Sequence, residues 1–415
     1  MKITLSHPTS NANVRSVAKS LMEAGLLDTF FTSIAAFPGS SLDKLANVKL
    51  FAELKKRKFD SSLRPYTKMF PWWEAGRIFS KKMKAESLLI SETGIFSVDK
   101  CYHNFDSYVA GNFKKTDENS KRAAYAYEDG ALETFKYSKQ HNIKCIYDLP
   151  IAYWETGRKL FFEEAERLPA WASTLGGGIS ASQDKLDRKI RELELADMVV
   201  VPSHFVKNSI PAWAVNKKIV VSPFGTPEII NNDNSREVKS HNRPLRVLFA
   251  GSMGQRKGLG DLFAAMRLLN TKEVELVVMG SLQAPIEFYR NEYPGFTYEP
   301  GRPHKEVLAL MRTCDVFCLP SIVEGRALVM QEAMSQGLPI IITPNTGGED
   351  LIIEGETGFL IPIRSPGCIA EKITWFLENR EKIPAMSAMA RLHAQTYTWE
   401  NYGSKIVESI KVLFD

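Results

Sequence analysis

Two carboxylates in the second half of the chain, Glu324 and Glu332, have the type and the spacing to hold a hydroxyl-rich, phosphorylated ligand. They lie in Pro320-Ser321-Ile322-Val323-Glu324-Gly325-Arg326-Ala327-Leu328-Val329-Met330-Gln331-Glu332-Ala333-Met334-Ser335-Gln336-Gly337-Leu338-Pro339, which reads as strand end, loop, helix, glycine stop and next strand. A loop that opens a helix at the carboxyl end of a parallel strand is where such sheets bind ligands. The free amides at that helix start suit a diphosphate. Glu324 would lie beside the phosphates, and Glu332, eight residues on, would sit on the order of 12 Å further along and turned by roughly 80°. Carboxylates so placed can accept hydrogen bonds from the sugar at one end of a nucleotide sugar and from the ribose at the other. An exposed glutamate pair on an amphipathic helix would explain either residue alone, but not the proline, serine and glycine positions around them.

Such a loop needs a parallel sheet behind it, and the rest of the chain supplies the pattern. Short β-branched runs ending in Gly, Pro or Ser alternate with stretches of helical period, which argues repeated β/α units. Candidate strands are 2–5, 144–147 and 198–201 in the first half, and 246–250, 275–279, 315–319 and 339–343 in the second. Helices are expected at about 14–23, 130–141 and 184–195, and a helical insertion over 40–125, where the periodicity weakens. With 415 residues and 44% hydrophobic composition, two cores are expected rather than one. The division expected is a first domain over 1–225, a polar linker over 226–243, a second domain over 244–397 and a terminal helix over 398–415. Two doubly wound α/β halves facing across a cleft follow.

The glutamate segment resembles retaining family-4 glycosyltransferases of the GT-B fold, whose mark is two glutamates separated by seven residues within PS-x-x-EG-x-x-LV-x-x-EAM-x-x-GLP. The resemblance implies a GT-B-like pair of Rossmann-like domains. It extends to Phe249-Ala250-Gly251-Ser252-Met253-Gly254-Gln255-Arg256-Lys257-Gly258, similar to the family's strand–turn that ends in Lys-Gly and opens a helix. By that resemblance Lys257 neutralises the donor diphosphate as the sugar leaves. Ser252 stands where the family usually has a second cation, an arginine, and Arg256 is the candidate replacement. Gly251, Ser252, Gly280, Arg302, Gly325, Arg326, Ala327 and Leu328 complete the expected donor site. In the first half, His7-Pro8-Thr9-Ser10-Asn11-Ala12-Asn13 follows the first strand where relatives carry a glycine-rich loop, and it has no glycine. Asn11 and Asn13 are the candidates there. After the strand at 144–147, where a histidine is usual, Asp148 and Tyr153 are the candidates on the acceptor side.

The resemblance implies sugar transfer from a nucleotide-diphosphate sugar, UDP- or GDP-linked, with retention at the anomeric carbon, to a glycan, a lipid-linked acceptor or another hydroxyl. The nucleotide sugar is a co-substrate, and no other cofactor is expected. No metal is expected either, since the chain contains no Asp-x-Asp and its five cysteines are scattered, with no CxxC pair. An epimerase or phosphorylase of the same fold is disfavoured by the donor motif. The reading from another class is a weak or inactive GT-B protein that binds a nucleotide sugar or serves as a scaffold for a partner glycosyltransferase.

Free cysteines, a first strand in place of a secretory h-region, and apolar runs far short of the ~20 residues needed to span a bilayer fit a cytoplasmic protein. The net charge of +5 is concentrated in residues 51–90, where basic clusters interleave with Phe59, Phe70, Trp72, Trp73 and Phe79. Such a mixture suits an anionic membrane surface. Nucleic acid is not expected, because no nucleic-acid-binding motif accompanies the charge.

Overall fold

The computed structural model describes residues 1–9, 11–46, 48–113, 121–227 and 243–414. The first sheet contains β1 (Lys2–Ser6), β2 (Leu27–Thr32), β3 (Thr67–Met69), β4 (Arg122–Tyr127), β5 (Lys144–Asp148), β6 (Met198–Val201) and β7 (Lys218–Val221). Its spatial order is β3-β2-β1-β4-β5-β6-β7, parallel throughout. The second contains β8 (Leu245–Ala250), β9 (Val274–Gly280), β10 (Phe296–Pro300), β11 (Val316–Leu319), β12 (Ile340–Ile342) and β13 (Gly358–Leu360). Its order is β10-β9-β8-β11-β12-β13, again parallel. The fold is therefore GT-B-like, with two Rossmann-like domains. In each sheet the winding direction reverses between two adjacent strands, β1 and β4 in the first and β8 and β11 in the second. Such switch points open a crevice at the carboxyl ends of the strands.

Strands such as Met198-Val199-Val200-Val201 and Ile340-Ile341-Ile342 are buried along their whole length, as parallel strands covered on both faces must be. The second domain has one contiguous core, from Val247 and Phe249 to Ile369 and Phe376. The first has a core on each sheet face, and the helix Trp399–Lys411 contributes Tyr402, Ile406 and Ile410 to one of them. That helix lies against Ala12–Glu23, where the Ser16 hydroxyl donates to the Trp399 carbonyl at 2.7 Å.

The expected insertion differs from the structure at both its content and its end. Short helices do fill much of 40–125, but β3 extends the sheet edge and Arg122 begins β4, a central strand paired with β1. Arg-Ala-Ala-Tyr-Ala-Tyr lacks the β-branched run that marks the other strands, and burial between β1 and β5 makes it a strand. Of the expected linker, residues 228–242 lie outside the described residues.

Candidate functional site

The loop after β11 is held open by backbone hydrogen bonds from the loop after β12. Glu324 N donates to Asn345 O at 3.0 Å and Ala327 N to Thr346 O at 3.2 Å, while the Asn345 side chain donates to Ile322 O at 2.8 Å. The helix Leu328–Ser335 then begins at Ala327, which has no side chain able to cap it. Its first amides are thus left for a ligand. Gly325 sits where the two domains touch: a Cβ there would come within 1.7 Å of the Pro150 carbonyl. Its own carbonyl accepts from the Ser203 hydroxyl at 2.6 Å.

The turn after β8 brings the cations to this loop. Ile322 N donates to Arg256 O at 2.9 Å, and the Glu324 carboxylate faces Lys257 Nζ at 2.7 Å and Arg256 Nη1 at 3.2 Å. Lys257 and Glu324 are mostly shielded from solvent, with side-chain exposures of 12% and 11%, whereas Arg256 is 30% exposed. Gly280, at the end of β9, approaches the same turn so closely that a Cβ would lie 1.6 Å from the Gly251 carbonyl.

Residues of the first half of the sequence fix this turn from the other side. The helix Trp154–Arg167 runs into a short helical turn, Pro169–Thr174, whose Trp171 is buried in the core of the second domain against Phe263, Phe288 and Tyr289. Residues around Trp171 therefore pack with the second domain, although the sequence division assigned 1–225 to the first. Thr174 Oγ1 accepts from Gln255 N at 2.9 Å, and the Gln255 amide donates to Glu164 and Asp261, each at 2.9 Å. Arg167 bridges the same two carboxylates. The residue two places before Lys257 is thus fully buried and hydrogen-bonded on every side. A side chain so fixed holds the turn that carries the lysine.

A cavity of about 440 Å³ lies between these elements, lined by Gly251, Lys257, Gly280, Arg302, Glu324, Arg326, Ala327, Leu328 and Glu332 among others. Most of the expected donor-side residues therefore meet in one place, at the β8/β11 switch point. The guanidinium of Arg326, however, turns away to Asp350 (2.7 Å), the Gly347 carbonyl (3.0 Å) and Gln331 (2.9 Å), and stacks on Tyr397. It braces the loop. Arg302 pairs with Glu299 at the rim, and Ser252 is outside the lining. Sequence reading missed Met279 and Val307 on the wall, and His304, whose Nε2 is 3.2 Å from Glu332. Burial pushes the Glu332 carboxyl above its usual range, and His304 pulls it back. The available signal was the position of His304 two residues after Arg302, at the start of a helix.

The candidates of the first domain have other employment. Asp148 is buried and accepts from Tyr125 Oη at 2.6 Å. Burial raises its carboxyl to about 7, with the Tyr125 and Tyr127 hydroxyls opposing. Tyr153 is fully buried in the core of the first domain, its amide donating to Ser209 Oγ at 2.8 Å, and Asn13 is buried against Tyr402. Asn11 is an exposed residue that accepts from Thr9. Instead, His7 closes the end of β1: it is buried edge-on against Tyr127 at 4.5 Å, bonded to Thr9, and desolvation lowers it to about 4. Its imidazole is neutral at ordinary pH.

Residues 231–393 match the family model described as Glycosyl transferases group 1. The chain is 28% identical over 200 residues to the D-inositol 3-phosphate glycosyltransferase of Corynebacterium glutamicum (strain R), covering 43% of this chain and 48% of that one. It spans about half the length of the curated relatives it matches. Sucrose-phosphate synthase from Thermosynechococcus elongatus shares the fold with a TM-score of 0.62 at 18% identity, over 100% of this chain and 99% of that one. Anabaena HepE, solved in complex with UDP, gives a TM-score of 0.60 at 13% identity, over 99% and 100%. In fold the chain is GT-B over its whole length, and over its second half it is similar in sequence to the group 1 glycosyltransferases.

Proposed function

We propose that the protein transfers a hexosyl unit from a nucleotide-diphosphate sugar, UDP- or GDP-linked, to a hydroxyl of a glycan or lipid-linked acceptor, with retention at the anomeric carbon. The observation that carries this reading is the meeting of Lys257, Glu324, Glu332 and an uncapped helix start around one cavity at the β8/β11 switch point. The amides of that helix start receive the diphosphate, and Glu332 accepts from the ribose hydroxyls. Lys257, with Arg256 beside it, meets the negative charge that grows on the leaving phosphate, where a fixed cation lowers the barrier most. Glu324 keeps both cations in place until the donor arrives and then faces the sugar. As the bond from the anomeric carbon to the phosphate oxygen breaks, the acceptor oxygen bonds to that carbon on the same face. The departing phosphate oxygen takes the acceptor's proton. In this scheme no protein nucleophile is required.

Transfer would take place in the cytoplasm, with the protein in peripheral contact with the cytoplasmic face of an anionic membrane through residues 51–90. Incubation with UDP- and GDP-sugars tests the donor reading, and UDP is the first nucleotide to try, being the ligand of the HepE structure. Release of the nucleoside diphosphate, with retained configuration of the transferred sugar by proton NMR, is the expected result. Binding of a nucleotide without any turnover, with or without hydroxyl acceptors, would favour the scaffold reading instead.

A further inference from the structure

The helix Trp72–Lys82 packs Trp73 and Ile78 inward but turns two large aromatics outward. Its carboxylate Glu74 and its hydroxyl Ser80 are buried, whereas Trp72 and Phe79 are 74% and 65% exposed. Water alone selects the opposite arrangement. This setting is pinned by ion pairs: Glu74 is held by Arg57 and by Arg77, and all three side chains are largely shielded. Rotating the helix to hide Trp72 and Phe79 would take the buried Glu74 carboxylate away from Arg57, leaving it only Arg77 of its own helix, which is costly.

The exposed Trp72, Phe79 and Met83 share one face of the helix, interrupted at Gly76, where Phe96 packs. Trp72, Gly76, Phe79 and Met83 follow one another at intervals of four, three and four residues, and so fall within an arc of roughly 60° on the helix surface. At Gly76 the absent side chain admits the ring of Phe96, because a Cβ there would lie 2.3 Å from it. The loop that delivers Phe96 adds Ile90 and Ile95, 56% and 52% exposed, beside Met83 at 65%. Around the end of the helix stand the exposed Lys81, Lys82 and Lys84, with Glu86 as the acidic neighbour. In the other basic cluster Arg57 is held by the buried Glu74, while Lys58 and Lys56 make surface pairs with Asp43 and Glu53. Phe59 is core, Phe70 stacks on Tyr108 and Trp73 packs on Phe96.

We infer that this face is a docking surface for an anionic lipid bilayer, with Trp72, Phe79 and Met83 entering the interface and Lys81, Lys82 and Lys84 meeting the headgroups. The inference deepens the peripheral contact proposed above by naming its surface, and it does not depend on the donor site. Aromatic and aliphatic side chains ringed by lysines complement a negatively charged interface on both counts. The place in the fold is suitable as well. The helix begins directly after β3, at the carboxyl edge of the first sheet, the edge on which Pro150 abuts the second domain. Docking there holds the crevice close to the membrane surface, within reach of a lipid-borne hydroxyl.

The test is sedimentation of the full chain with vesicles of phosphatidylcholine alone and of equimolar phosphatidylcholine and phosphatidylglycerol. Binding is expected only with the anionic vesicles, falling as salt is raised. The triple substitution Trp72→Ser, Phe79→Ser and Met83→Ser, and separately Lys81→Gln, Lys82→Gln and Lys84→Gln, should each weaken partitioning at least tenfold. Lys55→Gln with Lys56→Gln should change it little. All positions substituted are exposed, and the melting shift produced by a nucleotide reports that each variant still folds and binds donor. That readout separates failure of the docking surface from failure of the donor reading. No binding at low salt would overturn the inference, as would binding unaffected by the Trp72, Phe79 and Met83 changes. Self-association of the wild type that the same changes abolish would reassign the face to a second copy of the chain.

Discussion

The two domains share an architecture but dispose of their polar side chains in opposite ways at the same structural position. At the carboxyl edge of β8 and β11, Lys257, Glu324 and Glu332 line an open cavity, and the groups that brace them come from neighbouring loops. At the carboxyl edge of β1, β4 and β5 the polar groups close on one another. His7 lies under Tyr127, Asp148 bonds Tyr125, and Glu128 and Asp129 share Lys189 at 2.8 and 2.9 Å. A switch point therefore provides a crevice but does not by itself make a binding site; what matters is whether the charged groups at its edge are left facing the opening.

The largest effect expected from this contrast is at Lys257. Lys257→Ala should lower kcat by roughly 100- to 1000-fold, the range for removing one fixed group that stabilises transition-state charge, with a smaller rise in the donor KM. Arg256→Ala should fall short of that, since Arg256 is further from Glu324 and more exposed. Wild-type turnover in Arg256→Ala would show that it does not replace the arginine absent at Ser252.

Asp148 sharpens the comparison from the other side. Its folded pKa, about 7, lies above the unfolded value near 3.8, so the folded state binds the extra proton. Its contribution to stability is fully present below about pH 4 and is lost as pH rises through 7, by on the order of 2 kcal/mol between pH 5 and 7. Asp148→Asn should remove that loss, melting higher than the wild type at pH 8 and gaining less at pH 5, with nucleotide affinity unchanged. Denaturation across pH measures it. A collapse of donor binding in this variant would place Asp148 in the site after all.

Much of this division was legible in the residue pattern, and where it failed the reason is physical. The loop after β11 was readable because its order is local: a proline and serine at the strand end, glycines at close approaches, and two glutamates eight residues apart, although the helix begins only at Leu328, so Glu324 belongs to the loop and the helical spacing expected between them does not apply. The strands made of β-branched runs were readable for the same reason. β4 was not, because alanine and tyrosine become a strand only between β1 and β5. Nor was the positioning of Gln255, which rests on Glu164 and Thr174, 91 and 81 residues away in sequence. The same holds for the outward face at Trp72. Its aromatics were visible, but which of them face water is decided by Arg57 holding Glu74 across 17 residues.

Gln255 also yields the smallest of the mutational effects. Gln255→Ala removes hydrogen bonds to two carboxylates that Arg167 still neutralises, so stability should fall by about 1–3 kcal/mol. Because the turn it anchors carries Lys257, kcat should fall more than the donor affinity. Equal loss of both, or neither, would show that the anchoring serves the fold alone.

The most direct test of the central claim, that the second domain holds a nucleotide sugar between Lys257 and Glu332, is calorimetric titration of UDP and GDP into wild type and Glu332→Ala. Hydrogen bonds from ribose hydroxyls to a charged, shielded carboxylate contribute roughly 1.5–3 kcal/mol. The dissociation constant of the nucleotide that binds should therefore rise about tenfold or more, with the melting temperature of the free protein little changed. A nucleotide that binds wild type and variant equally well would contradict the placement of the donor.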